Sequence, residues 1–412
     1  MNNWLNQKRL RVYPRLFLVT MAIVLAANVL LGSGWMGASG QRIGGDFVML
    51  YSAGVLFGQE PEQLYNFERQ GQVQKSLLAP TPFDGIMPYN YPPYVAWLIQ
   101  PLTHLPMAWA MAIWTVATLV FAVLAAHLIA RQFISPDLKS AGLDFRQLLI
   151  ITFSFFAFIE GLQVGQNHGL TLLLTTGILV ASMKKRWLLA GILAGLSIYK
   201  PQFALGFLII WLVWGQWRAL LGYGVVVAAW AGGFLALHGS ALYVEYFQNL
   251  PLLLKMVYLE GFGGYLEVTP YGLLISVLPP SAWSEIVTFT NLLAVALGVG
   301  LAIYAWRVRR YPPERQIPVL LLAVLFPLLA APHTLLHDLV ILVPLLALWA
   351  RLWPSRRLLM ACVVIYLAAF FLPWINHTIQ IPLLAFIPIG LFAWLVIHIV
   401  QDYRKYPKLN LT

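Results

Sequence analysis

Charge is what this chain has least of. Only 10% of its 412 residues are Asp, Glu, Lys or Arg, against roughly 25% in an ordinary soluble domain. A water-soluble fold of this length cannot cover its surface with so few charges, so lipid must cover part of it. Cysteine is nearly absent too. Cys362 stands alone inside an apolar run, which excludes an internal disulfide and a paired-cysteine metal or redox site. No P-loop, dinucleotide-binding fingerprint, G-x-S-x-G or H-E-x-x-H occurs, so nothing supports soluble nucleotide chemistry. No low-complexity tract, clear repeat or appended soluble domain is visible, and residues 1–412 read as a single integral membrane domain.

What the chain has instead is apolar length. Sixty per cent of its residues are hydrophobic, gathered in blocks of about 17–25, the length that crosses a hydrocarbon core of about 30 Å. Twelve spans are predicted: 16–35, 107–130, 148–163, 167–183, 187–199, 202–215, 219–237, 283–306, 317–332, 338–350, 358–375 and 381–401. The first follows a basic start (Lys8, Arg9, Arg11, Arg15). A signal peptide would have a shorter apolar region and a small-residue cleavage site, which Ser33-Gly34-Trp35-Met36 is not. The stretch is therefore read as a retained span. Two spans are short and meet at Tyr199-Lys200-Pro201. Such interruptions are tolerated where backbone lines a protein-walled or wet cavity.

The net charge of +11 does not point to nucleic acid, because the basic residues are scattered over short loops rather than clustered. They report topology. With the first span leaving the cytoplasm, Arg42, Arg69, Lys75, Lys200 and Lys255 fall outside, and the other 21 of the 26 Lys and Arg fall inside. That is the positive-inside pattern. It predicts an inner (plasma) membrane protein with both termini cytoplasmic. Of the 15 acids, all but Asp137, Asp144, Glu314 and Asp402 lie outside or near the outer face. Acids contribute little to orientation, so this bias reflects either function or the need to solubilise two long outer loops.

Loop 36–106 is far longer than a usual connection of about 4–6 residues. It predicts helices at 46–57, 66–78 and 94–103. The last is too short to span and is expected to lie along the membrane surface. Loop 238–282 carries an amphipathic stretch, 241–259, that reads as an interfacial helix.

Five places carry candidate chemistry, each with a plain structural alternative. Asp46 follows Gly44-Gly45 at a helix start; it is either a general base toward a hydroxyl or an ordinary N-cap. Arg42, four residues earlier, can pair with Asp46 or contact a phosphate. Tyr91, in Pro88-Tyr89-Asn90-Tyr91-Pro92-Pro93-Tyr94, belongs either to a substrate wall or to an interfacial aromatic belt. Lys200, in an apolar stretch, suits a phosphate as a point charge or snorkels to headgroups. Gln166, Asn167 and His168 form a polar break beside Glu160 that either binds sugar hydroxyls or makes a tight turn. His337 and Asp338, with His333, open a late span. His337 suits a phosphate or leaving group, and the spacing of these three on one helix does not converge metal ligands. The alternative is a polar interfacial turn.

Taken in order, these signals make a pattern. Asp46 with Tyr51-Ser52-Ala53-Gly54 is followed by Leu64-Tyr65, Tyr91-Pro92-Pro93, Pro101-Leu102 and Leu105-Pro106. Then come Gly165-Gln166-Asn167, Lys200-Pro201 and His337. The ordered set, over about residues 40–400, resembles glycosyltransferase family 87, the polyprenol-phosphate-mannose-dependent mannosyltransferases of the GT-C class. The resemblance implies an all-α polytopic bundle of about 12 transmembrane helices, with horizontal juxtamembrane helices in the first extracytoplasmic loop. It also implies inverting transfer of a sugar, commonly mannose, from a polyprenyl phosphate to an acceptor hydroxyl on a lipid or glycan. Carried over, Asp46 is the base. Lys200, His337 and Arg42 hold the donor phosphate, and Tyr91, Gln166, Asn167, His168 and Asp338 contact substrate. Where the family's pattern leads one to expect Gln-x-Asn, this chain has Gln166-Asn167-His168. Nothing in the resemblance requires a metal or other cofactor beyond the lipid-linked donor, and the partners are membrane lipids and substrates, not nucleic acid. The competing readings are a transporter or flippase, which would more often place polar residues at the midplane within related repeats, and a polymerase or ligase of lipid-linked glycans.

Overall fold

The computed structural model describes residues 7–140, 142–256 and 264–405. Among them the chain is helical throughout, with isolated bridges in place of strands. Among the described residues six helices are long and apolar enough to cross a membrane: Lys8–Leu30, Met107–Gln132, Trp217–His238, Pro280–Val308, Arg356–Ile379 and Leu383–Asp402. The pair Phe145–Ser154 and Phe156–Val164, bent by 58°, makes a seventh if taken as one span. The other predicted spans are also helical but shorter. They include His168–Met183, Trp187–Leu196, Gln202–Val213, Pro313–Ala330 and Leu342–Leu352.

The first span differs from its prediction at both ends. Helix is already present at Gln7, the first described residue, because the basic start is itself a good helix former. It stops at Leu30 rather than residue 35. Gly34 is left-handed (φ 59°), and Ser33 and Met36 close a reciprocal backbone turn. The predicted helix 94–103 is α-helical only over Pro93–Ile99 and tightens to a 3₁₀ turn over Gln100–His104. Of the stretch 241–259, Ala241–Met256 is helical, and residues 257–259 lie outside the described residues.

The long helices show exposed apolar stripes. On Met107–Gln132, Trp109, Ile113, Val116, Val120 and Leu124 are exposed. On the opposite side Ala110, Ala122, Ala125, Ala126 and Ala130 are buried. Small residues let membrane helices approach where no hydrophobic drive exists between them. Helices Trp187–Leu196 and Trp217–Val227 use this device reciprocally. A Cβ on Gly191 would lie 1.9 Å from the Ala219 carbonyl oxygen, and one on Gly222 would lie 2.5 Å from the Leu188 carbonyl oxygen.

The segment between the first two long helices is a packed layer. Helix Gly45–Gln59 is apolar on every side, so it is enclosed rather than amphipathic. Phe47, Val48, Leu50, Ala53 and Leu56 have almost no exposure. It packs on Phe67–Leu78, Pro93–Ile99 and Gln100–His104.

Candidate functional site

The start of helix Gly45–Gln59 is fixed by glycine. Gly44 is left-handed (φ 67°) and is the N-cap residue, with no side-chain cap bond. Asp46 therefore sits inside the first turn and is not the N-cap, which removes the plainest structural alternative for it. Its carboxylate faces Gln166: Nε2 of Gln166 donates to Oδ2 of Asp46 at 2.7 Å.

That contact spans 120 residues, and two glycines build it. The Gly44 amide donates to the Gln163 carbonyl at 2.9 Å. Gly165, left-handed at φ 76°, lies against Phe47, whose Cβ would be 2.6 Å from a Cβ added there. Trp114 Nε1 donates to the Gly165 carbonyl at 2.9 Å. Gly165→Ala meets both the strained φ and the Phe47 contact, so it is expected to cost about 1–3 kcal/mol. A lower Tm in detergent, with activity lost through displacement of Gln166 from Asp46, is the outcome to look for. An unchanged Tm would refute it.

Asn167 follows Gln166, and its side chain is among the groups that act on the Tyr91 hydroxyl. Burial raises the pKa of Tyr91, opposed by the charge of Lys200 and reinforced by Asp46 and Asp338. Tyr91 is thus at the meeting of the outer loop with Asp46, Lys200 and Asp338. The tyrosines of this segment are enclosed by the protein. Tyr89, Tyr91 and Tyr94 are buried, because their segment finds backbone partners. Tyr65 donates to the Tyr91 carbonyl at 2.8 Å, Tyr89 to Pro92 at 2.8 Å and Tyr94 to Ile198 at 2.9 Å. The last bond ties the outer layer to the break that carries Lys200.

Lys200 does not snorkel. Its ammonium meets Asp338 Oδ1 at 2.8 Å, with the two side chains only 10% and 4% exposed. Asp338 Oδ2 also accepts from the Leu335 amide at 3.2 Å. Next to it, His337 Nδ1 faces Glu160 Oε2 at 3.2 Å, and His337 Nε2 lies 3.9 Å from Asp338. Asp46, Tyr91, Gln166, Asn167, Lys200, His337 and Asp338 thus belong to one neighbourhood linked by contacts or electrostatic coupling. His168 is fully enclosed beneath it. Its ring stands edge-on to Phe158 at 4.7 Å, and its Nδ1 lies 3.2 Å from the Gln166 carbonyl oxygen.

Arg42 is placed differently. Its guanidinium lies over the Phe83 ring, 4.1 Å from the centroid. Among the described residues it makes no ion pair with Asp46. Sequence reasoning also missed the third carboxylate–imidazole contact nearby, Glu267 with His333. A glutamate in a loop carries no sign of burial in its local sequence. Among the described residues no cluster of three or more His, Cys, Asp or Glu is arranged to hold a metal ion.

A family model, Glycosyltransferase family 87, matches residues 89–332, more than half of the chain. The chain belongs to glycosyltransferase family 87. The family match includes Tyr91, Gln166, Asn167, His168 and Lys200; Asp46, His337 and Asp338 lie beyond its ends. They join the site through the Gln166 and Lys200 contacts. Neither the curated proteins nor the solved structures compared with the chain match it.

Proposed function

We propose that this family 87 protein transfers a sugar, mannose foremost, from a polyprenyl phosphate to an acceptor hydroxyl at the extracytoplasmic face, with inversion. The observation that carries the reading is the partnering of four carboxylates. Glu160, Glu267 and Asp338 each have a histidine or lysine partner, whereas Asp46 is held by the neutral amide of Gln166. A carboxylate oriented by an amide and, among the described residues, in no ion pair is suited to accept a proton.

In this reading Asp46 takes the proton of the acceptor hydroxyl as its oxygen attacks the anomeric carbon. The bond from that carbon to the phosphate oxygen breaks on the opposite side, and the electron pair leaves on the polyprenyl phosphate. Lys200 offsets the charge that develops there, the kind of stabilisation that is usually the largest catalytic term. The orientation rests on the charge pattern of the loops. The twelve-crossing topology counts the shorter helices as further crossings, and the outer-loop helices are placed along the membrane surface.

The test uses the full chain in nanodiscs with polyprenyl phosphates bearing mannose, arabinose or glucose and a lipid or glycan acceptor fraction. Transfer with inverted anomeric configuration, read by NMR, is expected. Retention of configuration, or transfer from none of these donors, would sink the proposal.

A further inference from the structure

The Glu267–His333 contact is not used by the chemistry above, yet it is built with care. Glu267 has no exposed surface. One carboxylate oxygen bonds His333 Nδ1. The other accepts from the Thr334 amide at 3.3 Å and the Thr269 hydroxyl at 3.4 Å. The Val268 amide donates to the Thr334 carbonyl at 3.0 Å, and Glu267 bridges Leu335. A Cβ on Gly272 would lie 2.6 Å from that of Glu267, so the carboxylate has little room to turn away. With Nδ1 committed, Nε2 is the nitrogen left to meet a ligand. The His333 side chain keeps 27% of its surface exposed, far more than Lys200 or His337.

The charge balance asks for such a group. Glu160, Glu267 and Asp338 carry potential negative charge here, and the permanent cation Lys200 is already paired with Asp338. An incoming phosphate needs a further cation. We propose that Glu267 holds His333 as an imidazolium whose Nε2–H binds the phosphate of a lipid-linked donor. Glu267 is then a positioning residue and His333 the ligand-contacting one. The inference rests on the polyprenyl-phosphate reading of the same site.

The groups facing His333 favour the charged ring on balance. Burial alone would lower its pKa, but Glu267 across the clamp and Asp338 on its own segment outweigh that. Lys200, from the helix break, works against them, and the net direction is upward. Beyond them His337 is engaged with Glu160. The imidazolium is present below the raised pKa and is lost as pH rises through it. Phosphate binding should therefore weaken with rising pH.

The experiment measures binding of a polyprenyl methyl phosphodiester, whose single charge does not titrate near neutrality, to the full chain in nanodiscs from about pH 6 to about pH 8.5, where an imidazole titrates. His333→Gln is expected to weaken binding at the acid end roughly 10- to 100-fold, the range of one charge-assisted hydrogen bond, and to flatten the pH dependence. Glu267→Gln, which keeps the side chain's size, should move the inflection to lower pH, a shift that a purely structural role would not cause. Inorganic phosphate should compete only weakly, since it lacks the lipid. Unchanged affinity and inflection in His333→Gln, or an unmoved inflection in Glu267→Gln, overturns the inference alone. Absence of binding by the unmodified chain overturns the donor reading along with it.

Discussion

Asp46→Asn is expected to lower the sugar-transfer rate about 10²- to 10⁴-fold, the usual range for loss of a general base, while the protein stays folded. The substitution isolates proton acceptance from packing. Asn offers the same acceptor oxygen to Gln166, whose Nε2 donates to Asp46 at 2.7 Å, so the link between the first outer loop and the polar break survives. What the fold loses is one anion in the first turn of Gly45–Gln59, a helix-dipole contribution of about 0.3–1 kcal/mol. A small change in Tm beside a collapse in rate is therefore the signature. Asp46→Glu should retain part of the activity, since a base remains but its reach changes. Near-normal turnover by a folded Asp46→Asn protein would remove Asp46 from the reaction and leave its carboxylate as a helix-terminal anion.

How far the sequence carried this site depends on the residue. Asp46 and Lys200 stood out because each breaks a local rule, an acid straight after two glycines and a cation within apolar sequence. Their neighbours broke no such rule. Gln166 is legible as part of a polar turn, but its bond to Asp46 depends on Gly165 docking against Phe47, a contact between segments far apart in the chain. Tyr89, Tyr91 and Tyr94 look interfacial by composition and are buried, and the carbonyl that satisfies the Tyr94 hydroxyl, that of Ile198, comes from a segment 104 residues away. Glu267 was hidden for the same reason: its partners, His333 and Thr334, are supplied by a distant segment. Arg42 was expected near the phosphate and is found over Phe83, an aromatic face that spacing along one segment cannot reveal. The helical stretches were legible because hydropathy acts locally. The short ones, such as Gln202–Val213, are closed by neighbours rather than by length: a Cβ on Gly206 would lie 2.7 Å from the Ala323 carbonyl oxygen of helix Pro313–Ala330.

The Lys200–Asp338 pair yields the second large effect, and it separates stability from chemistry. Removing one partner of a buried pair leaves an uncompensated charge, at a cost of about 3–5 kcal/mol. Lys200→Met alone should therefore destabilise the chain markedly, and its inactivity would say little about donor binding. Asp338→Asn added to Lys200→Met removes the stranded charge. It also keeps an acceptor for the Leu335 amide, which Asp338 Oδ2 engages at 3.2 Å. The double variant is expected to recover most of the lost Tm. If Lys200 serves the leaving phosphate, transfer stays low in that folded protein. The loss should appear with every polyprenyl-phosphate donor, while acceptor KM changes little. If the pair only clamps the turn at Leu336–Ile341 to the break at Tyr199-Lys200-Pro201, activity returns together with stability, and the phosphate role passes from Lys200 to the neighbouring imidazoles.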